Sequence, residues 1–316
     1  MKTAPEQKDV VIIGGGPAGL SAALMLGRAR KQVLLYDGGS PRNSAAEGIH
    51  GFVTRDGIPP KEFRRIAHEQ LAPYGVDILL DTRVTAVERL EPGFRAVLTG
   101  GRVVEARRVL LATGMVDEPL DLPGYRELWG RSIFQCPYCH GWEVRDRPWG
   151  LLATGPHALD FALFLTGWSR DLVVFTHGAV EVTAEQHQRL ERAGVRLETR
   201  KIRRLIASSG HGAHGAHLEA VELEDGTRVA REVLFSHPPQ HQTEVVRKLG
   251  VALDEQGFVR VNEHMETSVP GVHAAGDLTT RFQGASAAAG AGTMAGAMMN
   301  HALNMENAAA GLWPEG

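Results

Sequence analysis

Asp9-Val10-Val11-Ile12-Ile13-Gly14-Gly15-Gly16-Pro17-Ala18-Gly19 is the stretch whose reading decides the fold. Val10–Ile13 is apolar without alternation, as in a strand buried on both faces of a parallel sheet. The glycines at 14, 16 and 19 then give Gly-x-Gly-x-x-Gly, and Leu20–Leu26 reads as a helix. In such a unit Gly14 permits the tight turn, Gly16 lets backbone approach a pyrophosphate, and Gly19 lets the helix pack on the strand. The helix start offers free N–H groups, from Ala18 onward, and partial positive charge to phosphate. The next strand, Gln32–Tyr36, ends in Asp37, at the ~20-residue spacing where an acid bonds adenosine ribose hydroxyls. Strand, loop, helix and acid together point to dinucleotide binding; a glycine-rich turn without ligand is the weaker reading.

Outward from that unit, 316 residues suggest two domains at ~150 residues each. Hydrophobic content of 43% is enough for a large core. A net charge of −3 argues against a nucleic-acid footprint, and no apolar run approaches the ~18 residues of a membrane span. Met1–Lys8 is polar, mixed in charge and runs straight into a strand, unlike a signal peptide. The expected compartment is the cytoplasm, where a disulfide is more often catalytic than structural.

The only two cysteines stand in Cys136-Pro137-Tyr138-Cys139-His140. Two thiols separated by two residues in an α/β chain read first as a redox pair. Three other readings compete. Haem attachment needs export, for which no signal is visible. A structural zinc site needs two more ligands at knuckle spacing, and no second cysteine pair exists. Two buried core cysteines would sit oddly beside a Pro-Tyr spacer and a histidine. The histidines of Gly210–His217 suggest metal less than a hairpin loop between Arg203–Ser208 and Leu218–Leu223, so no metal is expected.

The glycine loop alone does not separate FAD from NAD. Val269–Asp277 reads as a short strand ending in Gly276-Asp277, ahead of the small-residue stretch Gln283–Gly292. This resembles the second FAD motif of the two-dinucleotide-binding-domain flavoproteins, which puts a ribitol or pyrophosphate role on Asp277. Small side chains after it let a helix start approach a flat ring whose N1–C2=O edge turns negative on reduction. Turn-like segments at Pro41–Asn43 and His50–Gly57 precede a helix at Pro60–Tyr74, and His50 reads either as a flavin neighbour or as a turn cap. Short strands follow at Val84–Leu90, Phe94–Leu98, Val103–Ala106 and Val109–Leu111, then Ala112-Thr113-Gly114 and the Pro-rich crossing Asp117–Gly124.

Glycine loop, Ala-Thr-Gly return, Cys-x-x-Cys, second α/β unit and Gly-Asp motif, in that order, resemble bacterial thioredoxin reductase along nearly the whole chain. The resemblance implies two Rossmann-like three-layer α/β domains, the second inserted into the first. The FAD domain then takes 1–118 and 250–316, and the inserted domain takes 119–249. The FAD contacts implied are Gly14, Gly16, Pro17, Ala18, Gly19, Asp37, Gly38, Arg42, Asn43, His50, Val84, Ala112, Gly276, Asp277, Gln283, Gly284 and Ala285. Cys139 is implied as the sulfur nearest the flavin, and a two-fold homodimer as the assembly.

Two departures shift the reading. Where the reductases carry Gly-x-Gly-x-x-Ala, this chain has Ala153-Thr154-Gly155-Pro156-His157-Ala158, with a glycine replaced and a proline where phosphate needs an N–H. Thr176-His177-Gly178-Ala179 holds no arginine pair for the 2′-phosphate of NADPH. His140 stands where the reductases have aspartate, and a histidine both takes and returns protons near neutral pH. These features resemble the flavin dithiol oxidases of gliotoxin and holomycin biosynthesis. The resemblance implies catalysis by Cys136, Cys139 and His140, a small-molecule dithiol as substrate, and oxygen as acceptor. A thioredoxin-type reductase and a non-catalytic redox sensor are the alternatives. His237-Pro-Pro-Gln-His241 replaces Gly-His-x-Pro of the reductases, on the expected substrate side.

Overall fold

The computed structural model describes residues 5–155, 157–208 and 216–312. The chain divides into two compact units. One comprises the chain up to Ser44, Gly51–Val116 and everything from His241; the other comprises Ala45–His50 and Asp117–Gln240.

The first unit is built on a seven-stranded sheet in the order Asp77–Leu79, Val33–Tyr36, Glu6–Ile13, Val103–Leu111, Phe94–Leu98, Val84–Arg89. Val272–Ala274 also pairs Val103–Leu111, parallel to it. Val10–Ile13 and Val33–Tyr36 are buried, as continuous apolar runs require. The segments read as two strands, Val103–Ala106 and Val109–Leu111, are one. Arg107 and Arg108 break the apolar pattern, but the backbone pairs Glu6–Ile13 on both sides of that break, from Glu6 opposite Val104 to Ile13 opposite Leu111. The helix read as Pro60–Tyr74 ends at Leu71 and tightens to a 3₁₀ turn over Ala72–Tyr74, where Pro73 cannot continue it.

Two helices on this sheet pack against each other through their smallest residues. Pro17–Arg28 follows the glycine loop, and Ala285–Ala309 closes the chain. A Cβ at Gly292 would lie 2.0 Å from the Ala18 carbonyl oxygen, and one at Gly296 2.9 Å from that of Ala22. We expect Gly292→Ala to destabilise by ~1–3 kcal/mol, the usual cost of overpacking, read as a lower urea midpoint at unchanged slope.

The second unit carries a five-stranded parallel sheet ordered Arg196–Glu198, Leu172–Phe175, Trp149–Leu152, Val233–Ser236, Ile133–Phe134. Trp149, Phe175 and Phe235 are fully buried in it. A three-stranded antiparallel sheet, Ile202–Ala207, Leu218–Leu223 and Arg228–Ala230, packs beside it. The unit closes at Gln240, not at Leu249: Val245 and Val246 of the helix Glu244–Leu249 are buried in the first unit's core. Sequence order also hides that Ala45–His50 belongs to the second unit. A Cβ at Gly130 would lie 2.6 Å from Ala45, a close approach within that unit. Among the described residues no helix is long and apolar enough to cross a membrane.

Candidate cofactor and redox site

In the first unit, two motifs from opposite ends of the chain meet at Ala18. Gly14 holds φ +121°, and a Cβ there would lie 2.1 Å from the Ala112 carbonyl oxygen. A Cβ on Gly19 would lie 1.9 Å from the Gly14 carbonyl oxygen, so the helix can seat only with glycine. Gly276, at φ +96°, brings its own Cβ position within 3.0 Å of the Ala18 methyl group. The helix starts at Gly16 and Gly284 have no side-chain cap, and the Cβ positions of both glycines face open space. Their first-turn N–H groups have no partner within the helix, which suits phosphate and other anionic ligand groups.

The charged residues lie around these openings. Asp37, 5% exposed, ends its strand with Oδ1 accepting from the Gly39 N–H at 2.9 Å and Oδ2 from Arg64 at 2.5 Å. Its carboxylate lies over the glycine loop, 2.4 Å from where a Gly15 Cβ would be. Arg42 donates to Asp277 Oδ2 at 3.0 Å and to Gln283 Oε1 at 2.5 Å, tying the Pro41–Ser44 turn to the Gly-Asp motif. Gly38 lies beside the Arg83 stem, and Asn43 is within the turn. Val84 is buried at the start of its strand, next to the Thr82–Asp37 backbone bond. Arg64 escaped the sequence reading. Its pairing with Asp37 follows from the helix Pro60–Leu71 packing near that strand end, for which sequence holds no signal.

The redox pair lies in the second unit. Cys136 caps the one-turn helix Pro137–His140 and is disulfide-bonded to Cys139, with Cα atoms 5.3 Å apart. Both cysteines are half-buried. The His140 ring stacks on Phe134 with centroids 4.4 Å apart and planes 15° apart. Its two ring nitrogens are buried without a hydrogen-bond partner. Burial first, and nearby His50 second, push its pKa down to about 4; a backbone contact to Cys136 pulls the other way but falls short of hydrogen-bond geometry. His50 sits in this unit, with Nδ1 3.5 Å from Glu143 Oε1. Exposed aromatics flank the pair: Tyr138 packs on Phe164 and edge-on to Trp168, and Arg145 covers Trp142. The aromatic richness of Tyr138–Trp142 was the available signal for this patch.

His273, buried in the first unit, is likewise pushed down to about 4, chiefly by burial. An unfolded histidine takes its proton near ~6.5. Between that value and about 4 the unfolded chain binds more protons than the folded one, so stability is full above the window and falls as pH drops through it. Urea midpoints at about pH 7.5 and about pH 5 should show this loss, and His140→Gln should flatten part of the slope.

The turn after the strand Trp149–Leu152 places Ala153 buried, Gly155 open, and Thr154 Oγ1 donating to the His237 carbonyl at 3.1 Å. Pro156 lies outside the described residues. At the end of Leu172–Phe175, His177 Nδ1 accepts from the Ile202 N–H at 2.8 Å. The cations at hand are Arg200, held by Glu198 at 2.6 Å and Asp225 at 2.7 Å, and Lys201, whose stem lies beside Gly178. His237 packs edge-on to Phe161, while His241 belongs to the first unit. His211 and His214 lie outside the described residues. Among the described residues no group of three His, Cys, Asp or Glu is placed to hold a metal.

The family described as pyridine nucleotide-disulphide oxidoreductase matches residues 8–292. The chain belongs to that family. It is 34% identical to the thioredoxin reductase tcpT of Claviceps purpurea over 93% of this chain and 94% of that one. The crystal structure of HlmI superposes with a TM-score of 0.90 at 36% identity, covering 96% of this chain and 95% of the other. An oxidoreductase from Agrobacterium tumefaciens superposes with a TM-score of 0.86 at 38% identity, covering 95% and 99%. The protein is thus a thioredoxin reductase-like flavin disulfide oxidoreductase with two Rossmann-like domains, and its cofactor is FAD. The uncapped helix starts, the glycine openings and the two carboxylates of the first unit fit that group.

Proposed function

We propose that the protein is an FAD-dependent dithiol oxidase. It closes a disulfide in a small-molecule dithiol through Cys136–Cys139, and the electrons pass by way of FAD to oxygen, giving hydrogen peroxide. The observation that carries this reading is a disulfide followed directly by His140, whose ring nitrogens are buried without a partner, in a unit whose phosphate turn begins with Ala153 and whose next turn offers His177 where an arginine pair would be needed. FAD supplies a two-electron acceptor that thiols reduce and oxygen reoxidises.

Gly14, Gly16, Pro17, Ala18 and Gly19 would hold its pyrophosphate, and Asp37 with Gly38 its adenosine ribose. Arg42, Asn43, Val84, Ala112, Gly276, Asp277, Gln283, Gly284 and Ala285 would hold the remainder. Cys136 accepts attack by the first substrate thiolate, which releases Cys139 as a thiolate. The second substrate thiol attacks the substrate sulfur bound to Cys136 and frees it. His140 takes the protons that the substrate thiols give up. The name carried by tcpT favours a second reading, reduction of a thioredoxin-like disulfide by NADPH. An oxygen electrode separates them: a small dithiol such as dithiothreitol should drive oxygen uptake with matching peroxide. Uptake no faster than with free FAD would refute the oxidase.

A further inference from the structure

Asp37 ends a buried strand, and its backbone is fixed on both sides. Its N–H donates to the Leu79 carbonyl at 2.9 Å, and its carbonyl accepts from the Thr82 N–H at 3.1 Å. Only the side chain is left to be placed, and two neighbours place it. Arg64 Nη2 donates to Oδ2 at 2.5 Å, and the carboxylate fills the space beside Gly15. We infer that Arg64 and Gly15 are positioning residues for the cofactor, acting by fixing the Asp37 carboxylate that receives the adenosine ribose. The inference rests on the proposed pairing of that ribose with Asp37 and is independent of the direction of electron flow.

Gly15 is a variable position of Gly-x-Gly-x-x-Gly, so the motif does not ask for glycine there. Its backbone does not ask for it either, because its φ is not positive. The reason is space. A Cβ on Gly15 would lie 2.4 Å from Asp37 Oδ2, 2.5 Å from Cγ and 2.7 Å from Cβ. A methyl group there moves the whole Asp37 side chain, not only its tip.

Arg64 keeps the carboxylate against the loop. Phe63, Ala67 and Leu71, four residues apart, set one stripe of the helix Pro60–Leu71 against the core that also holds Leu35. Arg64, next to Phe63, is thereby brought to Asp37. Its side chain is 21% exposed and that of Asp37 7%, so the pair is shielded from water. A carboxylate this deep is strongly disfavoured once its partner is removed. His68, one turn on, does not replace Arg64 as a cation at neutral pH, since burial first and Arg64 second push its pKa down. Oδ1 accepts from the Gly39 N–H at 2.9 Å. A carboxylate offers about four acceptor sites, so these two bonds leave capacity for a ribose diol. An acceptor fixed before the ligand arrives lowers the ordering cost of binding.

The test compares two cofactors on the holoprotein. It is equilibrated with mixtures of FAD and an FAD analogue lacking the 2′-hydroxyl of the adenosine ribose. Unbound flavin is removed by rapid gel filtration, and the bound flavins are separated and quantified. Wild type should prefer FAD by about 10-fold or more, the usual worth of a hydrogen bond to a charged group. Arg64→Ala should bring the preference close to parity and lower FAD affinity about 10-fold, read from the fluorescence of flavin released on dilution. Gly15→Ala should lose the preference with Arg64 still in place. Arg65→Ala removes a cation paired with Glu62 and Glu69 on the exposed side of the same helix, and it should match wild type. A merely structural defect lowers affinity for both cofactors equally and leaves the preference intact. An undiminished preference in Arg64→Ala or in Gly15→Ala therefore overturns the inference; if Arg64→Ala does not fold, Arg64→Gln decides by the same criterion. Equal binding of the two cofactors by wild type shows instead that Asp37 does not receive the ribose, and the inference falls with that assignment.

Discussion

Cys139→Ser abolishes bleaching of the flavin by a dithiol under anaerobic conditions. The single change removes the internal disulfide that substrate must attack and the thiolate that leaves it. Cys136 is then left as a lone thiol, which cannot join a reduced dithiol without an oxidant, so no electron pair reaches the flavin by that route. Cys136→Ser should stop turnover equally: Cys139 is left as a lone thiol, with no disulfide for substrate to attack. Both cysteines are half-buried on a one-turn helix that lies outside the hydrophobic core, so neither change opens a core cavity. Both variants should therefore remain yellow and folded. Stopped-flow absorbance of the flavin, with FAD content measured after denaturation, separates a chemical defect from a lost cofactor.

His140→Ala should keep FAD yet slow the dithiol half-reaction by ~10²–10⁴, the usual worth of a positioned acid–base. Its pKa of about 4 in the disulfide form leaves the ring neutral at working pH and ready to accept a proton. Opening the disulfide places a thiolate nearby, and an adjacent negative charge raises a histidine's pKa. The ring is thus a poor proton holder before attack and a better one after it, which is the order of events the reaction needs. His140→Ala should also lose the acid-side limb of the pH–rate profile. A variant that slows equally at every pH would point to packing against Phe134 instead.

Much of this was legible in sequence because it is local. Val10–Gly19 carries its strand, turn and helix start in consecutive residues, and the structure shows why two of its glycines are needed: Gly14 against Ala112, Gly19 against Gly14. The cysteine pair at one helix start is equally local. What sequence hid depends on contacts between distant segments. His50 reads as part of the first unit because its chain neighbours are there, but Ala45–His50 packs with residues near 130 and 143. Asp37 looked free to meet a ribose, and Arg64 already holds one of its oxygens. Arg107 and Arg108 look like a break between strands, yet the strand runs on through them, with Arg108 opposite Val10. The sequence puts the end of the inserted unit at Leu249, and only packing shows that Val245 and Val246 join the first unit's core.

The direction of electron flow is the central claim, and one experiment addresses it directly. Oxidised, FAD-loaded protein is mixed anaerobically with NADPH in one syringe and with a small dithiol in another, and the flavin absorbance is followed. The account predicts stoichiometric bleaching by the dithiol, none by NADPH on the same timescale, and return of the colour with peroxide when air is admitted. Fast stoichiometric bleaching by NADPH, with none by any dithiol, would contradict it.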